Sequence, residues 1–415
     1  MSVRACYVES IEQKPPTLPG PHGHTCPPKA IRKLMHKNLP RDPRGNCPYN
    51  PQSTPQSTFT GFPKNFKELF WRYSKNCSPD RLAMLCGQLC QINMAASNSR
   101  VDELTSYFKT HNKIKEQQSH SAKVHSVGWS CDGRLLASGS FDKCVCIFSL
   151  GTDRLKQETT FRGHGGSVDQ LCWHSFHPEL LSTASGDKTM RIWDTRSQKC
   201  TANIATRGEN INISWSPDGN TIAVGNKEDL VTFIDARVMK IRAEEQFNFE
   251  VNEISWNKDS DTFYLTNGQG CVHILSYPDL ELLHVIKAHP GTCICIEFDP
   301  TGRYFATGSA DALVSLWDAD ELCCLRTFSR LEWPVRTISF SHDGQLLAAA
   351  SEDLVIDIGE VETGEKVADI PVEAATFTVA WHPKQYLLAY ACDDKDTYDR
   401  KRDAGSLKVF GFSSE

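Results

Sequence analysis

No run of apolar residues in this chain approaches the roughly 20 needed to span a bilayer, which excludes an ordinary membrane-spanning helix. Its first residues, MSVRACYVESIEQKPP, lack the apolar core of a secretory signal. Seventeen cysteines without such a signal are expected as reduced thiols in a cytosolic or nuclear protein. Cys131, Cys144, Cys146, Cys172 and Cys200 fall in or beside strand-like runs, where a free thiol packs as a small hydrophobe. Near HGHTC (His22 to Cys26) there is no CxxC pair, and Cys6 and Cys47 are far away, so neither a metal nor a cofactor is expected there.

Basic charge is outnumbered over most of the chain. Of 415 residues, 40% are hydrophobic and 23% charged, as in a soluble globular protein. Residues 1–100 carry 14 Lys and Arg against 5 Asp and Glu, a balance of +9. The rest carries 31 against 46, a balance of −15. An acidic body lacks the basic footprint that a phosphate backbone requires. The basic head suits a solvated tail, or contact with nucleic acid or an acidic partner.

Residues 1–63 hold twelve of the 21 prolines, and such a composition cannot bury enough apolar surface to offset ordering entropy. A disordered extension is expected there. In 64–102, the stretches KNFKELFWRYSKN (64–76) and DRLAMLCGQLCQINMA (80–95) have helical spacing of apolar residues, with Phe66, Leu69, Phe70 and Tyr73 on one stripe.

What is abundant is repetition. TASGDKTMRIWD (183–194) and TGSADALVSLWD (307–318) share one skeleton. From about residue 120 onward, an aromatic closes a short strand-like run seven times: Trp129, Trp173, Trp215, Trp256, Phe298, Phe340 and Trp381. The gaps are 44, 42, 41, 42, 42 and 41 residues, the period of a four-stranded propeller blade. Turn formers such as CDG, PDG, PTG and HDG follow several of these runs. The fold class expected is all-β, a seven-bladed propeller over residues 103–412. The seventh unit ends at LKVFGF (407–412), with too little chain for a fourth strand. Residues 111–118, HNKIKEQQ, are expected to supply it and close the ring, protecting backbone groups that an open edge would expose.

Within the repeats a His, a hydroxyl and an Asp recur: His120, Ser138 and Asp142; His164, Thr183 and Asp187; His289, Thr307 and Asp311. Trp193 and Trp317 complete the last two sets. One such trio would invite a nucleophilic-catalysis reading. Repeated, with the hydroxyl on a strand expected to be buried, it reads as a structural hydrogen-bond network ending in an indole N–H. Gly270 and Ala349 stand where polar members are expected, so units three, four and six should rely on packing alone. The pairs Cys144/Cys146 and Cys293/Cys295 lie two apart on strands and read as packing.

This pattern resembles the WD40 family, in which Trp, Ser/Thr, His and Asp of one blade form a linked network. The likeness goes further. HSAKVHSVGWSCDGRLLASGSFDK (120–143), FSRLEWPVRTISFSHDG (328–344) and FTVAWHPKQYLLAYACDDKD (377–396) are similar to the WD-repeat subunit family of the THO complex. That resemblance implies a non-catalytic nuclear scaffold of the THO/TREX assembly, coupling transcription to mRNA processing and export. Its partners would be other THO/TREX protein subunits, with mRNA contacted indirectly, no membrane and no small-molecule substrate. A WD40 adaptor elsewhere, such as a ubiquitin-ligase substrate receptor, would share the fold but not these segments. A propeller enzyme would need a non-repeating reactive cluster at the channel mouth.

In a WD40 geometry the position four before each closing aromatic lies near that mouth: His125, Asp169, Ile211, Asn252, Ile294, Arg336 and Phe377. Polar with apolar islands and no ring of Lys or Arg, this rim suits a protein partner. Trp333 is a candidate anchor, with packing between blades as its alternative. The segment DDKDTYDRKRDAG (393–405) is too charged for a core. It should be a solvated loop whose Lys395, Arg400, Lys401 and Arg402 are candidate contacts to a partner.

Overall fold

The computed structural model describes residues 99–151, 155–393 and 405–414. The expectations for residues 1–98, and for the loop carrying Lys395, Arg400, Lys401 and Arg402, lie outside the described residues. The described chain forms twenty-eight strands, β1 to β28, in seven four-stranded antiparallel sheets. The first blade runs β2 (Val124–Trp129), β3 (Leu135–Ser140), β4 (Cys144–Leu150) and β5 (Leu155–Arg162). Five more follow the same plan from their first strands, β6 (Val168–Trp173), β10 (Asn210–Trp215), β14 (Val251–Trp256), β18 (Cys293–Phe298) and β22 (Thr337–Phe340). The seventh has β26 (Thr376–Trp381), β27 (Leu388–Cys392) and β28 (Ser406–Phe412). Its outer strand is β1 (Lys113–Gln118), paired with β28 from Lys113↔Phe412 to Gln118↔Ser406.

First strands of successive sheets lie against one another all the way round, β26 against β2 included. The protein is therefore a closed, seven-bladed propeller. A small isolated sheet is marginal in water because one face stays wet. Here the apolar core divides into seven clusters, one in each seam between blades. Six of the closing aromatics are buried in these seams and Phe298 partly so. Each buries an aromatic surface of roughly 150–250 Å². Two indoles also bond across a seam: Trp173 Nε1 donates to the Gly128 carbonyl at 2.8 Å, and Trp129 Nε1 to that of Ala380 at 3.1 Å.

The turn after β2 shows how local chemistry fixes a blade. Asp132 accepts from Ser130 Oγ and the Arg134 amide, and Gly133 takes φ 77°. A side chain at Gly133 would lie 2.4 Å from the ring of His382, which donates through Nε2 to the Gly133 carbonyl. Glycine is required, and blade seven is pinned to blade one there.

Residues 99–110 form a helix, α1, across the boundary expected at 102/103. Its buried Val101, Leu104 and Phe108 share one face and enter the seam between blades six and seven, with Val367, Trp381 and Phe410. Beyond α1, the Ser414 amide donates to the Thr110 carbonyl at 2.8 Å, tying the end of the chain to the helix. No helix among the described residues is long and apolar enough to cross a membrane.

Candidate functional site

The recurring trios are brought together in three blades. His164 Nδ1 lies 2.9 Å from Asp187 and Nε2 lies 2.8 Å from Thr183 Oγ1, which accepts from Trp193 Nε1 at 2.9 Å. His289, Asp311, Thr307 and Trp317 repeat this at 3.1, 2.8 and 3.0 Å. In blade one, His120 spans Asp142 at 3.1 Å and Ser138 at 2.7 Å, with Phe148 in place of the indole. A single proton order satisfies each full set: indole to hydroxyl, hydroxyl to Nε2, Nδ1–H to carboxylate. Burial lowers the pKa of His120 and His164, in keeping with a neutral ring, although their carboxylates pull the other way. Burial pushes Asp187 up, but bonds from Thr189, the Gly165 amide and His164 outweigh it and hold the carboxyl at about 2. Ser138, Thr183 and Thr307 are 0% exposed, so no substrate reaches these hydroxyls.

The blades without a full set are not held by packing alone, contrary to the sequence expectation. In blade six, where Ala349 replaces the hydroxyl, Arg330 grips Asp357 through two bonds of 2.6 and 2.7 Å and donates to the Gly364 carbonyl. In blades three and four, Asn226 and Asn267 accept the amides of the following turns. Gly270 does not stand in the place of Asp142, Asp187 and Asp311, contrary to the sequence expectation. Gln269 takes that place, and Gly270 is the turn residue that matches Lys143 and Lys188. It has φ 76°, and a Cβ would come within 2.1 Å of the His289 carbonyl.

The rim positions divide. His125 Nδ1 meets Asp169 Oδ1 at 3.0 Å, joining blades one and two. Asn252 donates to the Cys293 carbonyl at 3.0 Å, joining blades four and five. Arg336 is half-buried and pairs with Glu352 at 2.6 Å. Ile211 and Phe377 are half-buried, and the Lys123 ammonium lies 5.8 Å from the Phe377 ring centre. Ile294 is buried, against the expectation that it lines an accessible mouth, because β18 is apolar on both faces. Trp333 does not pack between blades. It is 54% exposed, on a loop whose Glu332 and Trp333 amides both donate to Asp353 Oδ2. Beside Asp353, Leu354 is 62% exposed. Phe141, 58% exposed, lies 5.9 Å from the His125 ring.

Sequence reasoning missed the channel. Gln170 on β6 donates from Nε2 to both oxygens of Glu253 on β14, at 3.2 Å, and Asn212 on β10 donates to Glu253 Oε1 at 3.3 Å. In blade five, Glu297 accepts from Ser339 Oγ and the Phe340 amide of blade six, at 3.3 and 3.2 Å. Enclosure by protein pushes Glu253 up to about 7 against its hydrogen bonds, and Glu297 up to about 8, with Glu253 adding to the latter. Acidic residues inside the strand runs VNEISW and CICIEF were the available signal. Cys144, Cys146, Cys293 and Cys295 are buried free thiols, and burial raises the pKa of each. No group of three or more His, Cys, Asp or Glu among the described residues could hold a metal.

Comparison with known proteins agrees with this geometry. The pattern of the family described as the THOC3 beta-propeller domain matches residues 120–391. THO complex subunit 3 of Arabidopsis thaliana is 51% identical over 317 residues, spanning 76% of this chain and 100% of that protein. WD repeat-containing protein AAC3 of Dictyostelium discoideum is 31% identical, over 75% of this chain and 70% of its own length. Protein TEX1 of Saccharomyces cerevisiae is 25% identical, over 61% and 64% respectively. On the family pattern and the full-length match together, the chain belongs to the THOC3 beta-propeller family.

Proposed function

We propose that this protein is a non-catalytic scaffold subunit of a nuclear THO complex, acting in the coupling of transcription to mRNA processing and export. The observation that carries the reading is the 51% identity to a THO complex subunit 3 across that relative's whole length. Buried hydroxyls in the repeated trios fit a structural rather than a catalytic use of His and Asp. The acidic body fits indirect contact with mRNA through other subunits.

Partner contact is assigned to the rim, with Trp333 and Leu354 as apolar anchors and His125, Asp169, Asn252, Arg336, Ile211 and Phe377 around them. A large aromatic on a loop fixed by Asp353 loses little entropy on binding. Lys395, Arg400, Lys401 and Arg402 add a charged contact from blade seven. Affinity purification of the full chain from nuclear extract tests the reading. Recovery of the other THO subunits is expected, and reversing those four charges should weaken it. Recovery of a cullin-type ligase in their place would overturn it in favour of a ubiquitin-ligase adaptor.

A further inference from the structure

Each blade ends outward in a strand whose far edge has no strand beside it among the described residues. Such edges are sticky unless charges or proline blunt them. Most are blunted here: β13 (Lys240–Gln246) reads KIRAEEQ and β25 (Lys366–Pro371) reads KVADIP. Strands β1 and β13 each expose one large apolar residue, Ile114 and Ile241, between charges. The outer strand of blade four, β17 (Leu282–Lys287), is different. It exposes three large apolar residues, Leu282, Leu283 and Val285, at 57, 55 and 37%, and its sequence LLHVIK carries only the terminal lysine as a formal charge. Strand β9 (Lys199–Ala205), KCTANIA, is as sparsely charged but exposes no large apolar residue. The inner edge of β17 is taken by β16 (Cys271–Ser276), which pairs with it from Cys271↔Lys287 to Leu275↔Leu282.

The sequence around this edge is complementary to itself. Place a second copy antiparallel to it, with His284 at the twofold axis. Leu283 of each copy then lies across from Val285 of the other and Glu281 beside Lys287, while Leu282 lies across from Ile286, whose side chain is buried in its own blade seam. Apolar residues meet apolar residues and each acid meets a base, the isologous pattern that a two-fold dimer requires. Glu281 and Lys287 are exposed, and neither has an ion-pair partner among the described residues.

We propose that β17 is a self-association edge, pairing antiparallel with β17 of a second copy to join two propellers through an eight-stranded sheet. A contact centred on one six-residue strand is small, so the dimer is weak, forming at roughly micromolar to millimolar concentration.

Sedimentation equilibrium of the purified full chain, across that range, reads the association directly. Lys287→Glu sets like charges together at both ends of the contact and should weaken dimerisation about tenfold. Adding Glu281→Lys restores the complementarity and should recover it. Leu283→Glu with Val285→Glu should leave a monomer whose far-UV circular dichroism is unchanged. A chain that stays monomeric throughout overturns the proposal. So does a dimer indifferent to Lys287→Glu, or one that the double charge swap fails to rescue. None of these results depends on whether THO subunits bind, so failure here and failure of the scaffold reading are separable.

Discussion

Gln170 and Glu253 sit on first strands that are not neighbours in the ring, β6 and β14, yet the amide nitrogen of one lies 3.2 Å from both carboxylate oxygens of the other. A side-chain bond that skips a blade can run only across the central channel, so the channel is cross-braced.

That brace has a pH signature. Glu253 and Glu297 titrate near 7 and 8 in the fold, above the ordinary glutamate value of about 4.3. Between those limits the native state holds more protons than the unfolded chain, so stability falls as pH rises from about 4.5 to 8. Glu253→Gln keeps an oxygen for Gln170 and Asn212 and removes the charge. It should melt about 1–3 °C higher than the parent at pH 8 and level with it at about pH 4, below the unfolded-state value. Equal melting shifts at pH 8 and about pH 4 would show that the charge is not the cause.

Thr183→Val keeps the shape and deletes the hydroxyl shared by His164 and Trp193. Two buried groups lose a partner, so a loss of about 2–4 kcal/mol is expected, read as an earlier urea midpoint. A loss below about 0.5 kcal/mol would mean that water replaces the hydroxyl.

Blade six offers a cleaner dissection. Asp357→Ala leaves the Arg330 guanidinium facing a void and should cost about 3 kcal/mol. Arg330→Met combined with Asp357→Leu should regain much of that, because two charges are then no longer desolvated. Denaturant titration of the single and double variants gives the coupling, and strict additivity would refute it.

Phe108→Ala empties the seam that α1 fills and should cost about 3–5 kcal/mol. Amide exchange should quicken in β1, which follows α1, and in β28, whose Phe410 shares its seam, before it does in blade three. Uniform acceleration round the ring would show that α1 is not a local latch.

The ring itself was legible because each blade repeats one physical problem. Trp129, Trp173 and Trp215 recur at nearly constant spacing since each seals a seam, and glycines such as Gly133 recur where the chain must turn with positive φ. The sets built on His120, His164 and His289 were legible for the same reason. What repeats least was hardest to read. Arg330 and Asp357 lie 27 residues apart and replace the common set with a different chemistry, so no spacing rule reveals them. Gln170 and Glu253 lie 83 residues apart and meet only once the ring has closed. Ile294 looked accessible by its place in the repeat, but the flanking Cys293 and Cys295 make β18 apolar on both faces. Helix α1 went unread because its apolar face has only three buried residues.

The most direct test concerns the rim. Trp333→Ala with Leu354→Asp alters two exposed side chains and no core, so the melting temperature should hold within about 1 °C. In affinity purification from nuclear extract, the variant should lose most of the THO subunits that the parent chain recovers. Full recovery of those subunits by the variant would contradict binding through Trp333 and Leu354, and their absence from the parent purification would contradict the scaffold itself.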